Sequence, residues 1–139
     1  MIFVCAMTMA QTNAYPLLPM PQNYKVTDKS FAMGKVKLST PVLKSEWEAF
    51  IVNAGGELAD KAAAEIKVEL LPVIDGVKLN PDEAYRLSVS GKLIKIEAVT
   101  ERGVYWALQT LRQLEKKKGK KSLFAGCEIV DWPAFRGSP

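Results

Sequence analysis

The chain has 139 residues, 48% of them apolar and 24% charged, and a formal net charge of +4. That is the size and balance of one globular domain, able to bury roughly two-thirds of its unfolded surface without disulfide staples. There is no histidine, which excludes a Ser-His-Asp triad, histidine general-base chemistry and most zinc sites. The two cysteines, Cys5 and Cys127, are too far apart in the chain for a CxxC metal or redox motif. No metal and no cofactor is implied.

Residues 1–10 are apolar and uncharged apart from the terminus. They are too short for a membrane span, which needs about 20 residues. They read as the remnant of a secretory signal with Gln11 as the mature start, so the expected location is periplasmic or extracellular. Cys5 is a weaker lipidation candidate, because Phe3 and Val4 are large where small residues are expected. Residues 11–22 contain Pro16, Pro19 and Pro21 and read as an extended lead-in. Residues 23–131 form the domain proper. Tyr24 and Val26 suggest a first strand, Asp28-Lys29-Ser30 a turn, Phe31 to Met33 a strand pairing back, and Val36 to Ser39 another strand. Thr40 is expected to cap a helix with Pro41 in its first turn. Leu43, Trp47, Phe50, Ile51 and Ala54 form its apolar stripe, and Gly55-Gly56 stops it. Residues 58–65 add a turn of helix or a connector. Ile66, Val68 and Leu70 alternate with charged residues as a strand ending at Pro72, and a loop leads to Pro81.

Residues 82–115 organise the rest. Tyr85, Leu87 and Val89 alternate with polar residues, Ser90-Gly91 signals a tight turn with a positive φ at Gly91, and Ile94, Ile96 and Ala98 resume the alternation. Thr100 is the expected N-cap of a second helix, whose Val104, Ala107, Leu108, Leu111 and Leu114 fall on one side. Lys116, Lys117, Lys118, Lys120 and Lys121 then suit a helix C-terminus with Gly119 just beyond it. Leu123, Phe124, Ile129 and Val130 give last strands, and residues 132–139 an exit junction. The expected fold class is α+β: an antiparallel-rich (mixed) β-sheet with two α-helices packed on one face.

Little in this pattern offers chemistry. Asp82-Glu83 could do acid/base work only if burial split the two pKa values; after Asn80-Pro81 the pair reads as a solvated turn. The lysine run lacks interleaved aromatics and any nucleic-acid motif, so no nucleic-acid partner is expected. Tyr105 and Trp106 could stack a sugar, although at least one is expected in the core. Gly55-Gly56 ends a helix, whereas phosphate cradles precede one.

Four stretches resemble the N-terminal domain of the family 20 glycoside hydrolases, the β-N-acetylhexosaminidases. Leu17-Leu18-Pro19-Met20-Pro21-Gln22 with Ser30-Phe31 is similar to that family's opening I-P-x-P segment and the Phe that follows. Glu83-Ala84-Tyr85-Arg86-Leu87-Ser88-Val89 resembles its E-x-Y-x-L-x-V strand. The segment from Gly103 to Leu114 resembles its helix, and Asp131-Trp132-Pro133-Ala134-Phe135-Arg136-Gly137 its junction, one residue short. The resemblance implies a non-catalytic domain in front of a (β/α)8 barrel that is its partner. It also implies a parent that removes terminal N-acetylhexosamine from glycans by a retaining, substrate-assisted route. The family's catalytic Asp-Glu pair lies downstream, so Asp82-Glu83 is not that pair and this chain has no catalytic residue. The one implied substrate-binding residue is Arg136, matching the junction arginine that hydrogen-bonds the sugar's hydroxyls. Self-association of the isolated domain follows if its barrel-facing side is apolar. The alternatives are a free-standing carbohydrate- or protein-binding module, with Trp47, Trp106 or Trp132 as an exposed platform, and a basic nucleic-acid module using the lysine run.

Overall fold

The computed structural model describes residues 23–27, 29–75, 77 and 81–132. Cys5, the proline-rich lead-in and Arg136 lie outside these residues.

The described chain runs β1 (Asn23–Val26), β2 (Phe31–Ala32), β3 (Lys35–Ser39), α1 (Lys44–Asn53), β4 (Glu57–Leu58) and β5 (Ala64–Leu70). A 3-10 turn at Pro81–Glu83 follows, then β6 (Tyr85–Val89), β7 (Leu93–Ala98), α2 (Glu101–Leu114), β8 (Glu115–Lys118), β9 (Lys121–Phe124) and β10 (Cys127–Asp131). Seven strands form one mixed sheet in the order β1-β10-β6-β7-β5-β3-β4. Its β1-β10-β6-β7 half is antiparallel. The other half is parallel: α1 carries the chain from β3 over to β4 and β5, and β6 carries it back so that β7 lies parallel to β5. A smaller antiparallel sheet, β2-β9-β8, stands beside it. The α+β class and the two helices are as the sequence implies.

The pleat sorts the large sheet into two faces. Val36, Ile66, Val68, Leu87, Val89, Ile94, Ile96 and Ile129 join Trp47, Phe50 and Ile51 of α1 and Val104, Leu108, Leu111 and Leu114 of α2 in one buried cluster. Each such side chain contributes about 1.5–3 kcal/mol of transfer free energy. The small sheet closes the same core: Phe31 meets Phe124 edge-on at 6.5 Å, and Phe124 lies 5.4 Å from Phe50. The opposite face is polar. Ion pairs of 3.5–3.8 Å run across it from Lys67 through Glu69, Lys95 and Glu97 to Arg86. Both helices therefore pack on the one apolar face.

Four local expectations change. Phe31 and Ala32 pair with Phe124 and Leu123, not back onto β1, because Phe31 is needed against Phe124 in the core. The first helix begins at Lys44 rather than at Thr40-Pro41; Thr40 instead closes a turn on Val42, and Leu43 sits in the left-handed region at φ 56°. Gly91 does not take a positive φ, and the β6-β7 turn closes through Ser90 and Leu93. The lysines do not cap α2. The helix ends at Leu114 and the run forms the β8-β9 hairpin, with Gly119 at φ 65° in its turn. Lys117 Nζ donates to Asn53 O at 2.7 Å and Ser122 N to Ala54 O at 2.9 Å, so the hairpin satisfies carbonyls at the end of α1.

Candidate functional site

One end of the large sheet gathers the residues that invite a role beyond the core. Asp131 pairs with Tyr85, Tyr85 with Ala98, and Ala98 with Leu70, so the last residues of β10, β7 and β5 and the first of β6 share this end. The 3-10 turn and the first turns of α2 stand over it. Thr100 joins them: its hydroxyl accepts from Arg102 N at 3.2 Å, capping α2, and donates to the carbonyl of Asp82. Gly103 lets the helix sit close. A Cβ there would lie 2.2 Å from the Ala84 carbonyl oxygen and 2.9 Å from the Ala98 Cβ.

Glu83 is the polar centre of this end. It is 1% exposed, not the solvated turn residue expected from its neighbours. Its carboxylate accepts from Trp106 Nε1 at 3.3 Å and lies 3.6 Å from the Arg102 guanidinium. Arg102 and Trp106 are four apart on α2, so both reach the same point above the turn. Sequence alone does not bring that donor pair to Glu83; the packing of α2 over the turn does. Beneath, the Tyr85 hydroxyl meets the Thr110 hydroxyl at 2.5 Å, a second polar tie between strand and helix. Burial, and then the nearby charge of Asp131, push the Tyr85 phenol well above its ordinary value.

Around this centre, exposed apolar side chains stand beside the charged Glu101 and Arg102. Tyr105 is 44% exposed and stands edge-on to Trp106 at 5.2 Å. Leu70 and Val73 are exposed at the same end, beside the step from β7 into α2. Trp132, which follows Asp131 out of the sheet, is almost wholly buried. The arrangement can clamp a helix and leaves apolar side chains exposed at the same end of the sheet. It does not assemble a reactive group: Glu83 is engaged by Trp106 and Arg102, and Asp82 bonds through its backbone to Thr100.

The other proposed chemistry is dispersed. Trp47 is fully buried and Trp106 half-buried, so neither they nor Trp132 form an exposed sugar platform. Cys127 is a buried free thiol pushed up to about 12 by burial and the neighbouring Glu128. Among the described residues no group of three His, Cys, Asp or Glu could hold a metal ion, and no helix is long and apolar enough to cross a membrane.

Residues 14–132 match the family model described as glycosyl hydrolase family 20, domain 2. No curated protein matches the chain. Among solved structures, the chain is similar to the exo-β-N-acetylglucosaminidase of Vibrio harveyi in complex with N-acetylglucosamine, at 29% identity and a TM-score of 0.68, covering 90% of this chain and 20% of that one. It shares its fold with the β-N-acetylhexosaminidase of Bacteroides fragilis (20% identity, TM-score 0.61, 85% of this chain and 25% of that one). The N-acetyl-β-hexosaminidase of Streptomyces plicatus is a third (19% identity, TM-score 0.61, 84% and 26%). The chain thus spans about a fifth to a quarter of the length of the structures it matches. It belongs to glycosyl hydrolase family 20, as the N-terminal, non-catalytic domain of that family.

Proposed function

We propose that this chain is the accessory domain of a β-N-acetylhexosaminidase. Its catalytic barrel, carried by the same parent protein, removes terminal N-acetylhexosamine from glycans with retention, the substrate's own acetamido group acting as nucleophile. The observation that carries this reading is the match over residues 14–132 of a chain that spans only a fifth of its Vibrio harveyi relative. On this reading the domain meets the barrel at the end of the sheet where β10 exits, through Tyr105, Leu70 and Val73, with Glu83 holding α2 in register beneath. Arg136, a few residues further on, would donate its paired hydrogen bonds to the bound sugar. The apolar opening of the chain, residues 1–10, supports export of the parent to the periplasm or the cell exterior.

The test is hydrolysis of a chromogenic N-acetylglucosaminide by this chain and, in parallel, by the gene product continued past Pro139. Activity in the longer product alone is the expected result. Cleavage by this chain itself would overturn the reading. In the active longer product, Arg136→Ala should raise KM and lower kcat together, since a hydrogen bond to a sugar hydroxyl is made in the ground state and strengthens in the transition state. The free-standing sugar-binding module has less support, since it needs an exposed tryptophan platform and Trp47, Trp106 and Trp132 are buried or half-buried.

A further inference from the structure

The β8-β9 hairpin takes no part in the site above, and its chemistry is conspicuous. Five of the six residues 116–121 are lysine. The hairpin's two faces differ. Its inner face carries Lys117 opposite Ser122. Lys117 is used there, bonded to Asn53 O and 3.1 Å from Glu115, and the same Glu115 carboxylate accepts the Ser122 hydroxyl. Glu115, the one acid of the hairpin, is thereby committed inward.

The outer face carries Lys116, Lys118 and Lys121, all exposed, with half-buried Leu123. Lys118 stands directly opposite Lys121, and Lys116 is two residues along on the same side. Side chains paired across antiparallel strands have Cβ atoms about 5 Å apart, and like charges placed so are destabilising. Among the described residues none of these three ammonium groups has an ion-pair partner. Lys120 adds a further exposed cation in the turn. A sequence that concentrates like charge on one strand pair works against its own fold locally, and such conflicts are expected where a surface serves a ligand.

We propose that this hairpin is a docking surface for an anionic polysaccharide, a glycan carrying carboxylate or sulfate groups along its length. Ammonium groups on flexible stems read closely spaced charge rather than a fixed planar geometry, which suits sulfates and carboxylates repeated on an extended chain. The outer face has no aromatic side chain for stacking nucleic-acid bases. It has no large exposed apolar side chain to enter a lipid interface. The choice of a polysaccharide among polyanions rests on the glycan-processing parent proposed above; the charge pattern does not. Docking at this hairpin would hold a charged glycan on the enzyme while its ends are processed.

The experiment is a titration of this chain with dextran sulfate at low salt, beside neutral dextran, a double-stranded DNA fragment and phosphatidylserine vesicles at matched charge. Dextran sulfate should bind and neutral dextran should not. Lys116→Ser with Lys118→Ser and Lys121→Ser should weaken binding at least about tenfold and flatten the logarithmic salt dependence by about 2–3, the number of ion contacts removed. The three matching Lys→Arg changes should retain it. Lys37→Ser with Lys67→Ser and Lys95→Ser removes the same charge from the polar sheet face and should change affinity by less than about twofold. Because the hairpin lysines repel one another, their removal should leave the unfolding temperature equal or higher, which separates loss of binding from loss of fold. Equal losses in the two serine variants, or unchanged binding in the hairpin variant, would sink the proposal. So would tighter binding to DNA or to vesicles than to dextran sulfate. A longer gene product without hexosaminidase activity would remove the parent's reading and leave this titration's result standing.

Discussion

Two buried groups tie the stability of this domain to alkaline pH. Burial pushes the Cys127 thiol up to about 12, and burial with the charge of Asp131 raises the Tyr85 phenol. In an unfolded chain these groups titrate near 8.5 and 10. Above those values the unfolded state releases protons that the native state retains, so each further rise in pH favours unfolding. The stability these groups give is complete below about pH 8.5 and declines above it, by at most about 1.4 kcal/mol per pH unit per group. Urea midpoints measured from pH 7 to pH 11 should therefore fall progressively above about pH 9. Cys127→Ala should flatten the first part of that decline and Tyr85→Phe the later part, whatever either does to stability at pH 7. A midpoint independent of pH up to 11 would contradict the burial of both groups. The strand alternation that buries Tyr85 was legible in the sequence. The burial of Glu83 was not, because Asn80-Pro81 marks a turn, and only the reach of Arg102 and Trp106 from α2 closes over the carboxylate.

The elements follow from periodicity wherever a periodicity exists. The stripe of α1, the alternation of β5, β6 and β7, and the face of α2 were all readable because each buries one side. The lysine hairpin was not: a run of identical charged residues has no period, and β8 is defined by its register with β9 and by the carbonyls of α1 that it satisfies. A mixed sheet was expected, but which strands run parallel was hidden, since alternation says which face is buried and nothing about a strand's neighbour. The seating of α2 depends on Gly103. A methyl group there would meet the Ala84 carbonyl oxygen at 2.2 Å, a backbone atom with no rotamer to yield. Gly103→Ala should therefore cost about 1–3 kcal/mol despite its better helix propensity, by lifting α2 from the β6-β7 pair. Equilibrium unfolding in urea checks this, and a stabilised variant would show that α2 tolerates displacement. Trp106 fluorescence should shift to the red in the same variant, since the indole would leave Glu83.

At the scale of the whole molecule, the polar sheet face is crossed by ion pairs, and exposed apolar side chains lie at both ends of the sheet. Tyr105, Leu70 and Val73 are at the end where β10 exits, Val26 and Leu58 at the other. Clusters of this kind on a small domain usually mark an interface, and interfaces between domains of one chain bury roughly 600–1,500 Å². If the cluster at the β10 exit is where the barrel docks, two results follow. The isolated chain should self-associate as its concentration rises, and Tyr105→Lys with Val73→Lys should hold it monomeric in sedimentation velocity. Both side chains are substantially exposed in the isolated domain, so the double variant should unfold at nearly the same temperature as the parent sequence. In the gene product continued past Pro139 the same two charges would face the barrel, and burying an unpaired charge costs several kcal/mol. There the calorimetric transition should fall by several degrees or split into two. A longer protein indifferent to both substitutions would place the docking surface elsewhere, and monomeric wild-type chain at all concentrations would mean that the patch is too small to hold a partner by itself.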